Sequence, residues 1–171
     1  MIKALLIGSV LLAACASLYL SPLRANTVMF DKLSLQRQAV GARVFTAPDY
    51  KPGLLKHIVL FKYKKTVTPA QREDVVSRFL SLKRTQRPGA DAPYILSIVE
   101  GRQNSGEGVD GGFEQGFIVT FKSEGDRNYY VGKPLVESPG DYDEAHDAFK
   151  RFVAPLLSET NGVLVFDFSL R

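Results

Sequence analysis

The sequence has little cysteine, little histidine and no concentrated positive charge. Its 171 residues include one cysteine, so an intrachain disulfide is impossible. Two histidines without neighbouring cysteines or paired carboxylates make a poor set of metal ligands. The net charge of +4 is spread along the chain, whereas a nucleic-acid-binding surface needs a dense basic stripe. We therefore expect neither a metal site nor a nucleic-acid partner.

A phosphate-binding loop is also missing. Glycines cluster between residues 106 and 112, but they lack the fixed spacing and the following lysine of a nucleotide-binding loop. These glycines predict a loose loop and no bound cofactor.

The first 25 residues have the features of a targeting segment, with Lys3 before an apolar run over residues 4–14. The sequence Leu12-Ala13-Ala14-Cys15 then resembles the bacterial lipobox. In such precursors the small residues fit the peptidase, and the cysteine thiolate takes the lipid and becomes the first residue. This pattern predicts an exported lipoprotein, held in the cell envelope on the periplasmic or another extracytoplasmic side of a membrane.

Two alternatives remain open for this segment. Residues 2–20 have about the length that an uncleaved membrane anchor needs, roughly 20 residues. Cleavage after Ala25 would instead release a soluble secreted protein. All three alternatives place the rest of the chain outside the cytoplasm.

Residues 26–53 show no clear apolar period and contain Pro48 and Pro52. We expect a tether there, with a short helix around residues 32–39. Its apolar residues Val44, Phe45 and Tyr50 are available to pack on the following domain.

Residues 54–169 carry the patterns of one α+β domain. Residues 55–63 alternate as a strand that places His57, Val59 and Phe61 on one face. Thr68 and Gln71 form a capping box at the start of a helix. Further strands are predicted over residues 94–101, 113–122 and 163–168, with helical segments near 123–130 and 145–156.

This order is β-α-β-β-α-β, which is the ferredoxin-like arrangement with a four-stranded antiparallel sheet. Both helices pack on one face of such a sheet, so the other face leaves large apolar side chains uncovered. Uncovered apolar faces of this size mark interfaces, and a symmetric homodimer is the simplest cover.

The ordered set of segments resembles the stress-responsive α/β-barrel family, also called Dabb. The segments are KHIVLFKY at residues 56–63, FIVTF at 117–121, AHDAF at 145–149 and VLVFDF at 163–168. The resemblance spans about residues 54–168, and it implies a dimer whose two sheets close into an α/β barrel.

The resemblance also implies candidate site residues. Some plant members are polyketide cyclases, and their implied acid/base pair matches Tyr130 and His146, with His57 on the first strand as a third candidate. The family often has His-Pro-Ala-His, which is split here between Lys133-Pro134 and Ala145-His146 by an insertion over residues 135–144. Gln115 stands where a histidine is common. We therefore treat Tyr130 and His146 as candidate catalytic residues, and His57, Gln115 and Lys133 as candidate ligand-binding residues.

Each candidate also has a purely structural interpretation. His57 alternates in phase with core residues, and His146 lies at a helix start where structural hydrogen bonding is common. The acidic residues around His146 fit a solvated helix N-terminus better than a cation site. Three hypotheses follow: a domain that binds a small, largely apolar molecule, a cyclase-like acid/base enzyme, and a structural or partner-binding module of the envelope.

We predict that export is followed by acylation of Cys15, because the lipobox-like sequence directly follows the apolar run. Mass spectrometry of the mature N-terminus should show a lipid-modified cysteine as the first residue. An unmodified protein that begins at Asn26 would contradict this prediction.

Overall fold

The computed structural model of the protein describes residues 28–170, so the targeting segment and Cys15 lie outside the described residues. The helices are α1 (Val28–Val40), α2 (Ala42–Phe45), α3 (Pro69–Ser81), α4 (Glu124–Val131) and α5 (Glu144–Val153). The strands are β1 (Pro52–Phe61), β2 (Ser97–Arg102), β3 (Gln115–Ser123) and β4 (Val163–Ser169). Of the helices in this part of the chain, none is long and apolar enough to cross a membrane.

The four strands form one antiparallel sheet in the order β2-β3-β1-β4. This order, with α3 and α5 as connections, confirms the predicted ferredoxin-like α+β fold. The β1 strand lies between β3 and β4, so the strand with the clearest alternation occupies the centre of the sheet.

The inner face of the sheet forms the core against the helices. On β1 this face carries Leu55, His57, Val59 and Phe61, all buried as the alternation predicts. The core is aromatic, and the rings of Phe79 on α3 and Phe117 on β3 stack with centroids 3.9 Å apart. Because β1, β3 and α3 meet in this cluster, the core holds α3 against the sheet.

The helix α3 begins as its sequence predicts. The Thr68 hydroxyl accepts a hydrogen bond from the Gln71 N–H, and the Gln71 side chain accepts one from the Thr68 N–H. Pro69 occupies the first helical position, where its missing N–H has no cost.

A buried ion pair fixes α4. The Arg87 guanidinium donates to the Asp126 carboxylate over 2.7 Å and lies against the rings of Tyr94 and Tyr129. The Ser123 hydroxyl caps α4 by accepting from the Asp126 N–H. These contacts determine where α4 lies on the sheet.

The segment before the domain packs on it through α2 and the turn that follows. Phe45 is fully buried, and its carbonyl accepts a hydrogen bond from the Asn128 side chain on α4 over 2.8 Å. The turn approaches α4 so closely that a Cβ on Gly125 would lie 1.8 Å from the Ala47 oxygen. By contrast, α1 buries none of its side chains fully and is longer than the predicted helix at residues 32–39.

The outer face of the sheet is apolar and uncovered in the single chain. Its exposed side chains come from β2, β3 and β4, and they are Val99, Ile118, Leu164, Phe166 and Phe168. Phe166, the largest of them at the centre of β4, is 58% exposed. This is the uncovered face that the strand order predicts.

Candidate functional site

A cavity of about 490 Å³ lies between the inner face of the sheet and the helices. Its floor is formed by β1 and β4, and its walls by α4, α5 and the segment that follows α4. Phe79 and Phe149 add aromatic surface, and Leu33 and Phe45 reach it from the N-terminal segment. The lining is mainly apolar, which suits a largely apolar ligand.

The floor changes from polar to apolar along the paired strands. Antiparallel pairing places His57 opposite Asp167, Val59 opposite Val165, and Phe61 opposite Val163. All six side chains line the cavity. Four residues of strand span about 13 Å, so the polar end and the apolar end of this floor are separated by that distance.

The polar end is a connected group of three side chains. His57 Nδ1 donates to Asp167 Oδ1 over 2.6 Å, and Arg127 on α4 donates to the other oxygen, Oδ2, of the same carboxylate. Burial alone would raise the pKa of Asp167, but the hydrogen bond from His57 and the neighbouring positive charges outweigh burial and lower this pKa. The carboxylate is therefore ionised and fixes the orientation of the His57 ring.

His146 on α5 lies against Tyr130 and lines the same cavity. Its Nδ1 makes a 2.6 Å hydrogen bond to the backbone oxygen of Tyr130, and the two rings stack with centroids 3.7 Å apart. A carbonyl oxygen only accepts, so the proton of the neutral ring lies on Nδ1 and the lone pair on Nε2. Burial, and then the charge of Lys150, lower the pKa of His146 well below its ordinary value. His146 is therefore neutral at pH 7 and has the form of a base.

Tyr130 lies behind these two histidines. Its ring meets His57 edge-on at 5.5 Å and stacks on His146, so it keeps both imidazoles in place. Its hydroxyl is buried without a hydrogen-bond partner among the described residues. Burial, followed by the charge of Asp143, raises the pKa of Tyr130, so the hydroxyl keeps its proton. A buried donor without a partner costs roughly 1–3 kcal/mol.

Two lysines add positive charge to the cavity wall. Lys133 and Lys150 both line it and are partly exposed. Lys133 Nζ lies 3.5 Å from Asp147, while Lys150 donates to the backbone oxygens of Val131 and Lys133. These contacts hold the segment after α4 against α5 and leave cationic groups near the apolar lining.

The structure brings together most of the predicted site residues. His57, His146 and Lys133 line the cavity, and Tyr130 packs directly behind the two histidines. Gln115 does not line it; it lies on β3 opposite Phe61, and its amide donates to Glu100 and to the Gly101 oxygen on β2. These hydrogen bonds link β3 to β2.

Sequence reasoning missed three polar residues of the site: Arg127, Asn128 and Asp167. One signal was available, because Asp167 alternates in phase with Val163 and Val165 and so shares their face. The other two lie in a helix of eight residues, too short for a clear period.

Two of the acidic residues around His146, Asp143 and Asp147, are engaged in structure, Asp147 through ion pairs with Lys133 and Arg151. Asp143, expected at a solvated helix start, is instead buried and caps α5 by accepting from the N–H groups of Ala145 and His146. Its other oxygen accepts from the Tyr94 and Thr85 hydroxyls. Across residues 28–170, no group of three histidine, cysteine or acidic residues is placed to hold a metal ion.

The domain belongs to a known class. The profile of the family described as the stress-responsive A/B barrel domain, Dabb, matches residues 55–170. The match covers more than half of the chain, and the chain therefore belongs to this family. No curated protein matches the sequence significantly.

Solved structures share the fold at low identity. A protein from Arabidopsis thaliana is 23% identical with a TM-score of 0.53, and the match covers 68% of this chain and 95% of that one. The hydroxynitrile lyase of Passiflora edulis is 18% identical with a TM-score of 0.54, covering 70% and 95% of the two chains. A Dabb family protein from Mesorhizobium loti is 18% identical with a TM-score of 0.50, covering 70% and 98%.

The buried neutral His146 predicts a pH dependence of stability. The folded state does not protonate it near pH 6, whereas the unfolded chain does so below a pKa of about 6.5. The unfolded state therefore binds more protons, and stability falls as the pH is lowered. His146 alone should remove at most about 1.4 kcal/mol between pH 7.5 and 5.5.

Urea unfolding at a series of pH values measures this loss. The control is His146→Asn, whose amide can donate to the Tyr130 oxygen but does not titrate. The free energy of unfolding should fall less steeply towards low pH in this variant. Equal slopes for the two proteins would show that His146 titrates normally in the folded state.

Proposed function

We propose that this protein is an exported, envelope-held homodimer that binds a small, largely apolar molecule between its sheet and helices. The observation that supports this most strongly is the cavity of about 490 Å³. Its volume falls in the range of about 300–1,000 Å³ typical of small-molecule sites, and its lining combines apolar surface with a few polar groups.

The polar groups suit the orientation of a ligand that carries a hydroxyl or carbonyl. His146 Nε2 has a lone pair that can accept a hydrogen bond, while Arg127 and Lys133 supply donors. The neighbouring floor at Val59 and Phe61 offers apolar contact. A ligand with one polar group on an apolar body could hydrogen-bond at the polar end of this floor and make apolar contacts at the other end.

A second candidate function is acid/base catalysis, supported by the protonation states of His146 and Tyr130. A neutral imidazole held by a backbone carbonyl is prepared to accept a proton at Nε2. The Tyr130 hydroxyl keeps its proton and has no partner among the described residues, so it is a donor without an assigned role. In this alternative His146 would remove the proton, and Tyr130 would have to turn its buried hydroxyl into the cavity to stabilise a developing oxyanion.

Two substitutions separate ligand recognition from structure. Tyr130→Phe removes a hydroxyl that makes no hydrogen bond, so the folded protein should be as stable as wild type or more stable. His146→Ala should weaken binding of phenolic or polyketide-like compounds, because the acceptor at Nε2 is lost. Any cyclase-like turnover should require both residues.

Chemical unfolding and a binding panel of these compounds measure the two effects on the same proteins. Lys83→Ala, on the exposed turn after α3, is a control that should change neither. If the wild type binds nothing, or both variants bind as wild type does while folded, the site assignment fails. The partner-binding interpretation of the domain would then replace it.

The homodimer is supported by the exposed outer face of the sheet. Val99 on β2, Ile118 on β3 and Phe166 on β4 lie in one cross-strand row that Ile58 of β1 completes. This row forms an apolar surface with no covering element in the described chain. Soluble monomers rarely leave so large an apolar patch open. A second copy of the same face would cover it through a two-fold interface.

Phe166→Asp should therefore dissociate the dimer, since it would bury an unpaired carboxylate in an apolar interface. Light scattering of protein lacking residues 1–25 should show a dimer for wild type and a monomer for the variant. Leu35→Asp on α1, 66% exposed and away from the sheet, should remain dimeric. A stable wild-type monomer at micromolar concentration would refute the assembly.

The envelope location rests on the targeting segment and on Cys15. A lipid on Cys15 would hold the domain near the membrane surface through the chain that precedes α1. Two or more acyl chains give stable anchoring, because each buried CH₂ contributes about 0.8 kcal/mol.

A further inference from the structure

The cavity has a wall that does not come from the Dabb domain. The family match begins at residue 55, yet Leu33 on α1 and Phe45 on α2 both line the cavity. The N-terminal segment is therefore part of the site, in addition to any role as a connection to the membrane.

Phe45 is held rigidly in this wall. Its side chain is fully buried, its carbonyl is bonded to Asn128, and its ring meets Tyr50 at 5.6 Å. The Tyr50 oxygen in turn accepts from the Gly125 N–H over 3.0 Å. Because Asn128 and Gly125 lie on the helix that also supplies Arg127, the wall is fixed to the polar end of the cavity.

Leu33 is held more loosely. The helix that carries it has no fully buried residue, and Lys51 tethers it through an exposed 2.8 Å hydrogen bond to Gln36. The connection to α2 passes through Gly41, whose φ of 79° is readily adopted only by glycine. Leu33 therefore lines the cavity from a helix whose own contacts with the domain are few.

We propose that Leu33 and Phe45 are specificity-determining residues, and that they limit the size of the apolar ligand this chain accepts. The inference rests on the proposed ligand-binding function. This size limit is set by residues 28–50, which lie outside the family-matched domain. The N-terminal segment therefore determines which ligand size the shared fold accepts in this chain.

The absence of tryptophan from the sequence makes this directly measurable. Leu33→Trp introduces a single indole at the cavity wall and reduces the space inside it. Leu35→Trp introduces the same residue on the same helix at a side chain that is 66% exposed and does not line the cavity. Since α1 buries nothing fully, both variants should fold as wild type does.

The probes are 4-n-alkylphenols of increasing chain length, titrated into the full chain in lipid nanodiscs, with empty nanodiscs as the blank for partition. Affinity should rise about fourfold per methylene until the cavity is full and then stop rising. In Leu33→Trp this limit should come about two methylenes earlier, so the longest well-bound phenol should lose roughly 16-fold in affinity. Leu35→Trp should match the wild type.

Tryptophan emission gives a second reading of the same titration. The indole at position 33 should change its emission as the phenol binds, and the indole at position 35 should not. A complementary variant, Phe45→Ala, should move the length limit to longer chains, while Val44→Ala, half exposed on the same helix, should not move it.

The outcomes separate this inference from the proposed function. Binding by all proteins with one common length limit would overturn the role of Leu33 and Phe45 and leave the cavity as the binding site. No phenol binding by the wild type would overturn the proposed function, and with it the role of Leu33 and Phe45 in limiting ligand size. If Phe45→Ala does not fold, the comparison of the two tryptophan variants decides alone.

Discussion

The hydrogen bond between His57 and Asp167 joins the two strands that form the cavity floor, and Arg127 ties the same carboxylate to α4. The geometry exists only because β1 and β4 pair in one register, with His57 directly opposite Asp167. A shift of one residue would turn His57 to the outer face and leave the partly buried carboxylate of Asp167 with one partner fewer. The strand register, the position of α4 and the polar end of the cavity are therefore one linked constraint.

Much of this architecture is readable from local sequence. The alternation in β1 predicts which face carries His57, and Thr68 with Gln71 predicts the start of α3. The pairing partner of His57 cannot be predicted in this way. One aspartate in an otherwise apolar strand gives no local sign of what it contacts. Its partner is 110 residues away in sequence, so only the closed sheet reveals it.

The N-terminal segment shows the same limit more strongly. Its apolar residues lack a period, so the sequence predicts a tether whose Val44, Phe45 and Tyr50 are available to pack on the domain. It does not predict that Phe45 is among the most completely buried side chains of the described chain. Its burial depends on long-range contacts with Asn128 and on the close approach of Ala47 to Gly125. For Gln115 the resemblance implies a ligand contact, and its hydrogen bond to Glu100 on β2 likewise becomes visible only in the folded sheet.

The two faces of the sheet are different, because successive side chains of a strand point to opposite faces. One face lines the cavity and the other forms the uncovered outer surface, and β4 contributes to both. Val163, Val165 and Asp167 face the cavity, while the residues between them face the uncovered outer surface. As an edge strand, β4 is paired only with β1 among the described strands. An edge paired on one side opens more easily than a central strand. A second copy packed on Phe166 would restrain β4 from outside, and would thereby also restrain Asp167 and the floor of the cavity. If the domain dimerises and binds a ligand as proposed, β4 would therefore couple assembly to ligand binding.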